Sequence, residues 1–188
     1  MKIVAATGNA HKLQEIRSIL SDFEILSLKD VGFDREIEET GVTFAENALI
    51  KARAVARETG LAALADDSGL CVEALGGAPG VYSARYSGGG DKANRDLLLK
   101  NLTGERNRTA YFACAVALVY PDGKTVESEG RSYGKIIGEE RGEHGFGYDC
   151  LFLSDDLNKT FAEADEEEKN GVSHRGRALR ALLQRLKA

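Results

Sequence analysis

The stretch Leu64-Ala65-Asp66-Asp67-Ser68-Gly69-Leu70 is the part of the chain around which the rest is organised. Small and apolar residues run from Leu61 to Ala65 and predict a buried strand that ends where the polar residues begin. Because α/β sheets bind ligands outside the carboxyl ends of their strands, we expect Asp66 and Asp67 to lie at a ligand site. Neighbouring carboxylates need a compensating proton or cation, and Mg²⁺ typically bridges carboxylates and phosphates. The alternative is a solvated exit from the strand, since Asp, Ser and Gly are common in turns.

The composition is that of an ordinary soluble chain. Its 188 residues carry a formal net charge of -5, with 43% hydrophobic and 29% charged residues, which favours one domain spanning residues 1–188 with two lobes. The acidic balance argues against broad nucleic-acid binding, and the absence of a long apolar run or signal-peptide pattern argues against a membrane. Cys71, Cys114 and Cys150 form no Cys-x-x-Cys pair, which favours the reducing cytoplasm and disfavours a zinc site.

A second polar cluster, Thr7-Gly8-Asn9-Ala10-His11-Lys12, follows the predicted first strand, Lys2 to Ala6. Apolar residues at helical spacing come next, so the cluster lies at a strand-to-helix turn whose N–H groups and dipole favour an anion. Gly8 allows close approach of the backbone, and Lys12 offers a charge for a phosphate. Alternatively, Asn9 only caps the helix and Lys12 is a solvated first-turn residue.

The next helix is predicted to begin at the capping box Thr43-Phe44-Ala45-Glu46 and to run to Thr59, with Gly60 ending it. Lys51 shares a face of this helix with Asn47, and it either points into the ligand site or lies on the surface, which is the simpler interpretation. The acidic run 36–39 before the helix is either a solvated loop or the source of a second metal ligand.

The second half of the chain predicts a helix capped by Asp91 and a long hairpin of Thr109–Tyr120 with Thr125–Ser132. A hairpin breaks a purely parallel sheet pattern, so the sheet is expected to be mixed. A further strand is predicted over Cys150–Leu153, and Thr160 to Glu163 form another capping-box pattern.

The last helix is predicted to follow Ser173, with His174 and Arg175 in its first turn. Cations are disfavoured at that end of the helix dipole, so these two residues indicate either an acceptor-rich partner or a satisfied surface pair.

Six motifs, in this order, together resemble those of the non-canonical purine nucleoside triphosphate pyrophosphatases, the inosine and xanthosine triphosphate pyrophosphatases. They cover nearly the whole chain and are Thr7-Gly8-Asn9-x-x-Lys12-x-x-Glu15, Thr43-Phe44-x-Glu46-Asn47-Ala48, Leu64 to Leu70, Gly77 to Tyr86, Gly145-Phe146-Gly147-Tyr148-Asp149 and Ser173-His174-Arg175-Gly176. Ala62 and Cys150 stand where the family often has proline, which touches backbone shape rather than chemistry.

The resemblance implies an α/β fold with an elongated mixed β-sheet, flanking helices and two lobes around a central nucleotide-binding cleft, and a homodimer. It implies hydrolysis of ITP, dITP and XTP to the monophosphate and pyrophosphate with Mg²⁺. By the same resemblance, Asp67 is the catalytic proton acceptor and, with Glu39, a metal ligand. The substrate-contact positions that it implies are Thr7, Gly8, Asn9, Ala10, His11, Lys12, Ser68, Phe146, Gly147, Tyr148, Asp149, Lys169, His174 and Arg175.

A mechanism consistent with these residues has water attack the α-phosphorus while Asp67 orients it, and Lys12, Lys51 and Lys169 neutralise phosphate charge. Phe146 and Tyr148 offer stacking faces for the base, and His174 and Arg175 offer donors to a 6-keto oxygen. The alternative for Phe146 is packing in the core. Asp66 is expected only to support the site. Two alternatives remain: a Maf-like nucleotide pyrophosphatase of other specificity, and a nucleotide-binding module without catalysis.

Overall fold

The structure, a computed structural model, describes residues 1–187, and within them six strands and five α-helices form a mixed α/β fold. The elements are β1 (Lys2–Ala5), α1 (Ala10–Ile19), β2 (Glu24–Leu26), α2 (Phe44–Thr59), β3 (Ala62–Val72), α3 (Asp91–Asn101), β4 (Thr109–Val119), β5 (Thr125–Ile136), β6 (Phe152–Ser154), α4 (Glu166–Val172) and α5 (His174–Lys187). The strands form one sheet in the order β2-β1-β3-β4-β5-β6. Strand β1 pairs in parallel with β2 and β3, and β5 pairs antiparallel with β6, so the predicted mixed sheet is confirmed.

The chain divides into two compact units. Unit 1 contains residues 1–67, residues 114–130 and the segment that begins at Arg175, and unit 2 contains residues 68–113 and 131–174. Strands β3, β4 and β5 each contribute residues to both units, so the division follows no linker in the sequence.

The core of unit 1 lies on both faces of its strands. Successive strand side chains point to opposite faces, and Ile3 and Ala5 pack with residues of α1 and α5, whereas Val4 and Ala6 pack with residues of α2. Because both faces are covered, β1 reads as a continuous apolar run rather than an alternating one, as parallel strands commonly do.

The core of unit 2 is aromatic. Phe112 has its ring centroid 4.6 Å from that of Phe152, and Phe152 lies 5.0 Å from Phe161. Leu98 and Leu102 from α3 are fully buried in the same cluster. This cluster supports the loop that precedes β6, which carries several of the predicted substrate contacts.

The predicted end of the third strand is wrong. Strand β3 continues from Ala62 through Asp66, Asp67 and Ser68 to Val72, rather than ending at Ala65. Strand β1 pairs with β3 only as far as Leu64, so beyond the apolar run the neighbour of β3 in the sheet is β4, on its other side. The two carboxylates therefore lie within a strand and not at its exit.

Three smaller predictions also differ from the structure. Asp91 is the first residue of α3 instead of its cap, which is Gly90. The chain over Asp149–Leu151 is a 3₁₀ turn, and strand β6 begins only at Phe152. The pair of hydrogen bonds between Thr160 and Glu163 is formed, but no helix follows it, because Thr160 is bridged to Leu153.

The predicted helix boundaries near the amino end are confirmed. Asn9 accepts from the backbone N–H groups of His11 and Lys12 and so caps α1. Thr43 and Glu46 form both hydrogen bonds of a capping box, and Gly60 ends α2 with a φ of 66°. Among residues 1–187, no helix is both long and apolar enough to cross a bilayer.

Candidate active site

The alternation of strand β3 sends the two neighbouring aspartates to opposite faces of the sheet. Leu64 belongs to the core cluster that includes residues of α1 and α5, and Asp66 follows it at a spacing of two. Ala65 belongs to the cluster that includes residues of α2, and Asp67 follows it at the same spacing. The two acids therefore meet different helices and acquire different environments.

Asp66 is held in a buried network of charges on the α1 and α5 side. Its side chain is 1% exposed, and its Oδ2 accepts from Arg175 Nε at 3.2 Å and Nη2 at 3.1 Å. Lys12 Nζ lies 3.1 Å from the same oxygen, and Arg175 Nη1 donates to Glu15. Two carboxylates thus face two cations in a site that excludes water.

These contacts set the protonation state of Asp66. Burial by itself would raise the pKa of this carboxyl group, but Lys12 and Arg175 outweigh burial and hold the pKa well below its ordinary value. Asp66 is therefore a permanent carboxylate that holds cations, and it has no basicity to offer as a proton acceptor.

Asp67 lies on the α2 side among polar side chains. Asn47 Nδ2 donates to its Oδ2 at 3.1 Å, and Lys51 Nζ lies 3.8 Å from its Oδ1. The ammonium of Lys51 also donates to the carbonyl of Asp66 at 2.7 Å and lies 3.3 Å from Glu39 Oε1. Lys51 is only 12% exposed at its side chain, so the simpler interpretation of a surface residue is wrong.

Helix α2 and the loop before it position this second group. Asn47 and Lys51 are four residues apart and so share one face of the helix. Asn47 Oδ1 also accepts from the backbone N–H of Gly41 at 2.8 Å, which fixes the loop that carries Glu39. A Cβ at position 41 would lie 2.6 Å from that same Oδ1, so only glycine allows the approach.

The electrostatics of Asp67 are the reverse of those of Asp66. Burial raises the pKa of the Asp67 carboxyl group and the nearby charge of Glu39 raises it further, while Lys51 opposes both. Two neighbouring carboxyl groups with pKa values pushed in opposite directions are the arrangement expected where one acts as a base and the other does not.

The donor set fits a magnesium ion in one respect. No group of three or more His, Cys, Asp or Glu side chains in residues 1–187 could hold a metal by itself. Mg²⁺, however, is usually bound through one or two carboxylates with water and substrate phosphates completing its shell. Glu39 and Asp67 provide two such carboxylates, joined here by the ammonium of Lys51.

The opening turn reaches this region through Lys12. Its side chain is 16% exposed and paired with Asp66, so the alternative of a solvated lysine is wrong. Thr7, Gly8, Asn9 and Ala10 line a cavity of about 550 Å³. His11 does not line this cavity and is exposed to solvent. A Cβ at Gly8 would meet no heavy atom within 4 Å, and the rest of the cavity is lined by Leu13 and by residues between Ser27 and Arg35 rather than by Asp66 or Asp67.

Unit 2 holds a second group, centred on the loop Phe146–Asp149. Asp149 is buried, and its Oδ2 accepts from Lys169 Nζ at 2.8 Å and from the backbone N–H of Phe146 at 3.1 Å. The ammonium of Lys169 lies 4.9 Å from the centroid of the Phe146 ring. Phe146 is only half-buried, whereas Tyr148 is buried and donates its hydroxyl to the carbonyl of Ser83 at 2.7 Å.

The start of α5 is buried, so the alternative of a surface His-Arg pair is wrong. His174 is 5% exposed, and its ring stacks on Phe112 with centroids 4.7 Å apart. Arg175 is 1% exposed and bound to carboxylates. The acceptor-rich partner indicated by the sequence is thus in part internal. Ser68, the remaining predicted contact, is half-buried within β3.

The structure therefore brings Lys12, Glu39, Lys51, Asp67 and Arg175 into one region of unit 1, and Phe146, Asp149 and Lys169 into one region of unit 2. Sequence reasoning gave no role to Glu15 or Asn47. The i, i+4 spacing of Asn47 with Lys51 was the available signal for one, and the Lys12-x-x-Glu15 spacing on α1 was the signal for the other.

Comparison with known proteins identifies the family to which the chain is related. The model of the Ham1 family matches residues 3–185. Curated relatives include the dITP/XTP pyrophosphatases of Streptomyces avermitilis, 51% identical over 97% of this chain and 95% of that protein, and of Haemophilus influenzae, 48% identical over 98% of each. A solved structure of the Staphylococcus aureus Ham1 protein matches with a TM-score of 0.89 and 39% identity, covering 100% of this chain and 98% of that one. The chain belongs to the Ham1 family.

Proposed function

We propose that the protein hydrolyses non-canonical purine nucleoside triphosphates, dITP, XTP and ITP, to the monophosphate and pyrophosphate. The observation that carries the proposal is the environment of Asp67, a buried carboxylate with a raised pKa beside the Lys51 ammonium and Glu39. Relatives that are about 50% identical over nearly their whole length are named dITP/XTP pyrophosphatases, which supports the substrate class.

Unit 1 handles the phosphates in this proposal. Asp67 accepts hydrogen bonds from the attacking water and orients it toward the α-phosphorus, because its raised pKa makes it a better acceptor than an ordinary aspartate. Lys12 and Lys51 neutralise the charge that moves onto the leaving pyrophosphate. Asp66 holds Lys12 in place and so acts on the phosphates only through that side chain.

Glu39 and Asp67 are the residues that would hold Mg²⁺. When bound, the ion would neutralise phosphate charge and lower the pKa of water. Asn47 orients Asp67 for that ligation by donating a hydrogen bond to its Oδ2.

Phe146, His174 and Arg175 contact the base in this proposal. The half-buried ring of Phe146 offers a stacking face, with Lys169 beside it as a further cation for the phosphates. His174 and Arg175 donate to a 6-keto oxygen, and the two carboxylates that bind Arg175 fix the plane of its guanidinium. Adenine presents an amino group there instead, which leaves a buried donor unpaired and costs roughly 1–3 kcal/mol.

A substrate panel tests the proposal. The purified protein is given ITP, dITP, XTP, ATP, GTP and pyrimidine triphosphates with and without Mg²⁺, and pyrophosphate and orthophosphate are measured separately. We expect pyrophosphate and no orthophosphate from ITP, dITP and XTP. A preference for pyrimidine or modified nucleotides would favour the Maf-like alternative, and binding without hydrolysis would favour the non-catalytic one.

Asp67→Asn is the decisive variant, since it keeps the shape and removes the charge. We expect its hydrolysis rate to fall by a factor of at least 100, because general base catalysis contributes roughly 10²–10⁴. Asp22→Asn, which neutralises an exposed acid of the same unit, is the matched control and should retain the wild-type rate. A wild-type rate in Asp67→Asn would refute the assignment.

We also propose a homodimer, from the family resemblance, and a cytoplasmic location, from the unpaired cysteines. Sedimentation of the full chain tests the first, with a mass near twice 20.3 kDa expected. Fractionation of cells that express the protein tests the second.

A further inference from the structure

Gly147 lies in the loop that carries Phe146, and helix α3 holds it from two sides. Its backbone N–H donates to Asp91 Oδ2 at 3.1 Å, and its carbonyl accepts from Arg95 Nη1 at 2.9 Å. Asp91 and Arg95 are four residues apart, so they project from the same face of α3. One helix face therefore fixes both peptide groups that flank this glycine.

The hydrogen bond from Arg95 holds Gly147 in a defined position, because the Arg95 side chain is itself held by a second partner. Its side chain is only 16% exposed, and its Nε donates to Glu140 Oε1 at 2.7 Å. Gly147 has a φ of 60°, a conformation that a glycine adopts easily and that other residues avoid. The loop thus takes a specific turn whose two peptide groups are each matched by a charged partner.

Helix α3 is in turn tied to the segment that receives Tyr148. Asn94 is 1% exposed, donates to the carbonyl of Ala84 at 3.0 Å, and accepts from the N–H of Ser87 at 2.8 Å. The neighbouring carbonyl of Ser83 accepts the hydroxyl of Tyr148. The helix, this segment and the loop form a closed set of contacts around Gly147 and Tyr148, the two residues that follow Phe146.

We infer that Asp91 and Arg95 are positioning residues that set the orientation of the Phe146 ring for the purine base. The inference rests on the proposed function, in which Phe146 stacks on the base. Neither residue touches the substrate in this scheme: they act through the two peptide groups of Gly147. If the ring is already oriented before the base binds, less of the loop has to become ordered on binding. Asp91 and Arg95 therefore contribute to substrate affinity.

Arg95→Met tests the inference, because methionine keeps an unbranched stem and removes all the donors. We expect the KM for dITP and XTP to rise roughly tenfold, the loss that corresponds to one charge-assisted hydrogen bond. The kcat should change less than threefold, since the phosphate-binding residues are untouched. The inhibition constant of inorganic tripolyphosphate, which has no base, should stay at the wild-type value.

Lys92→Met is the matched control. It removes another cation of α3 that is paired with an acid, but its side chain is 69% exposed and its partner is Asp96 within the helix. We expect wild-type constants from it. Asp91→Ala, at an exposed position, is a second test that removes the other partner of Gly147 and keeps Arg95, and we expect a smaller rise in KM of about threefold.

A double-mutant cycle separates positioning from general loss of structure. If Arg95 acts through Phe146, Arg95→Met should add little to the KM of Phe146→Ala, whereas independent effects would multiply. An unchanged KM in Arg95→Met, multiplied effects in the cycle, or a weaker binding of tripolyphosphate equal to the rise in KM would each overturn the inference. If the wild-type protein released no pyrophosphate from dITP or XTP, the proposed function would fail first and separately.

Discussion

Replacing Asp66 by asparagine is expected to destabilise the protein strongly, although the two side chains have nearly the same shape. The wild-type network contains Asp66 and Glu15 against Lys12 and Arg175, so its charges balance. Asp66→Asn leaves one uncompensated positive charge, and its neutral amide oxygen is a weaker acceptor than a carboxylate for the guanidinium and the ammonium. Arg175 is 1% exposed, so water cannot reach the unpaired cation to compensate.

Breaking a buried ion pair by removing one partner typically costs about 3–5 kcal/mol. For a protein of this size each kcal/mol lowers the melting temperature by roughly 2–4 °C, so we expect a fall of roughly 6–20 °C. Urea unfolding followed by far-UV circular dichroism measures the free energy, and a thermal scan measures the melting temperature.

Two further variants serve as controls for the stability of Asp66→Asn. Asp96→Asn breaks the exposed pair with Lys92, whose side chains are 58% and 69% exposed, and it should change the free energy of unfolding by at most about 0.5 kcal/mol. Lys12→Met combined with Asp66→Asn removes one charge of each sign, so it should be more stable than Asp66→Asn alone. A loss below about 1 kcal/mol in Asp66→Asn, or no recovery in the double variant, would refute the reasoning from charge balance.

Three other outcomes are expected. Glu39→Gln should raise the Mg²⁺ concentration for half-maximal hydrolysis roughly tenfold or more, measured by titrating Mg²⁺ at saturating XTP, and an unchanged midpoint would remove Glu39 from the ligand set. Gly142→Ala should lower the free energy of unfolding in urea by more than about 3 kcal/mol, because its Cβ would lie 2.2 Å from the carbonyl carbon of Ala162. Gly60→Ala, whose Cβ would lie in open space, should lower it by only about 1 kcal/mol. Equal losses in the two variants would contradict the steric argument. Cys71 should react with iodoacetamide at pH 8 at least roughly ten times more slowly in the native protein than in urea, because burial raises the pKa of its thiol and keeps it protonated. The rate of the native protein should increase as the pH is raised further. Equal rates in the native and unfolded protein would be inconsistent with this.

The sequence by itself determined the elements whose signals are local. Asn9 and the Thr43–Glu46 pair cap their helices as predicted, because a cap depends only on side chains and N–H groups within one turn. The hairpin of β4 and β5 was predictable for the same reason, since a short turn follows a run rich in β-branched and aromatic residues and lets the next segment return beside it.

Thr160 and Glu163 show where local signals stop being sufficient. Their side chains make both bonds of a capping box, yet the chain does not become helical. The backbone N–H of Phe161 is instead bound to the carbonyl of Phe152. Contacts with a distant part of the chain decided the conformation, and a window of a few residues does not contain them.

The tertiary structure decided the roles of the two aspartates. The sequence presented Asp66 and Asp67 as an adjacent pair, and it assigned the second to chemistry only through family resemblance. Because β3 continues past them, their side chains point to opposite faces, and each face packs on different helices. Arg175 and Lys12 hold one carboxylate charged, whereas burial beside Glu39 raises the pKa of the other. How far a strand extends depends on its neighbours in the sheet, and for that physical reason only the folded chain could distinguish the two acids.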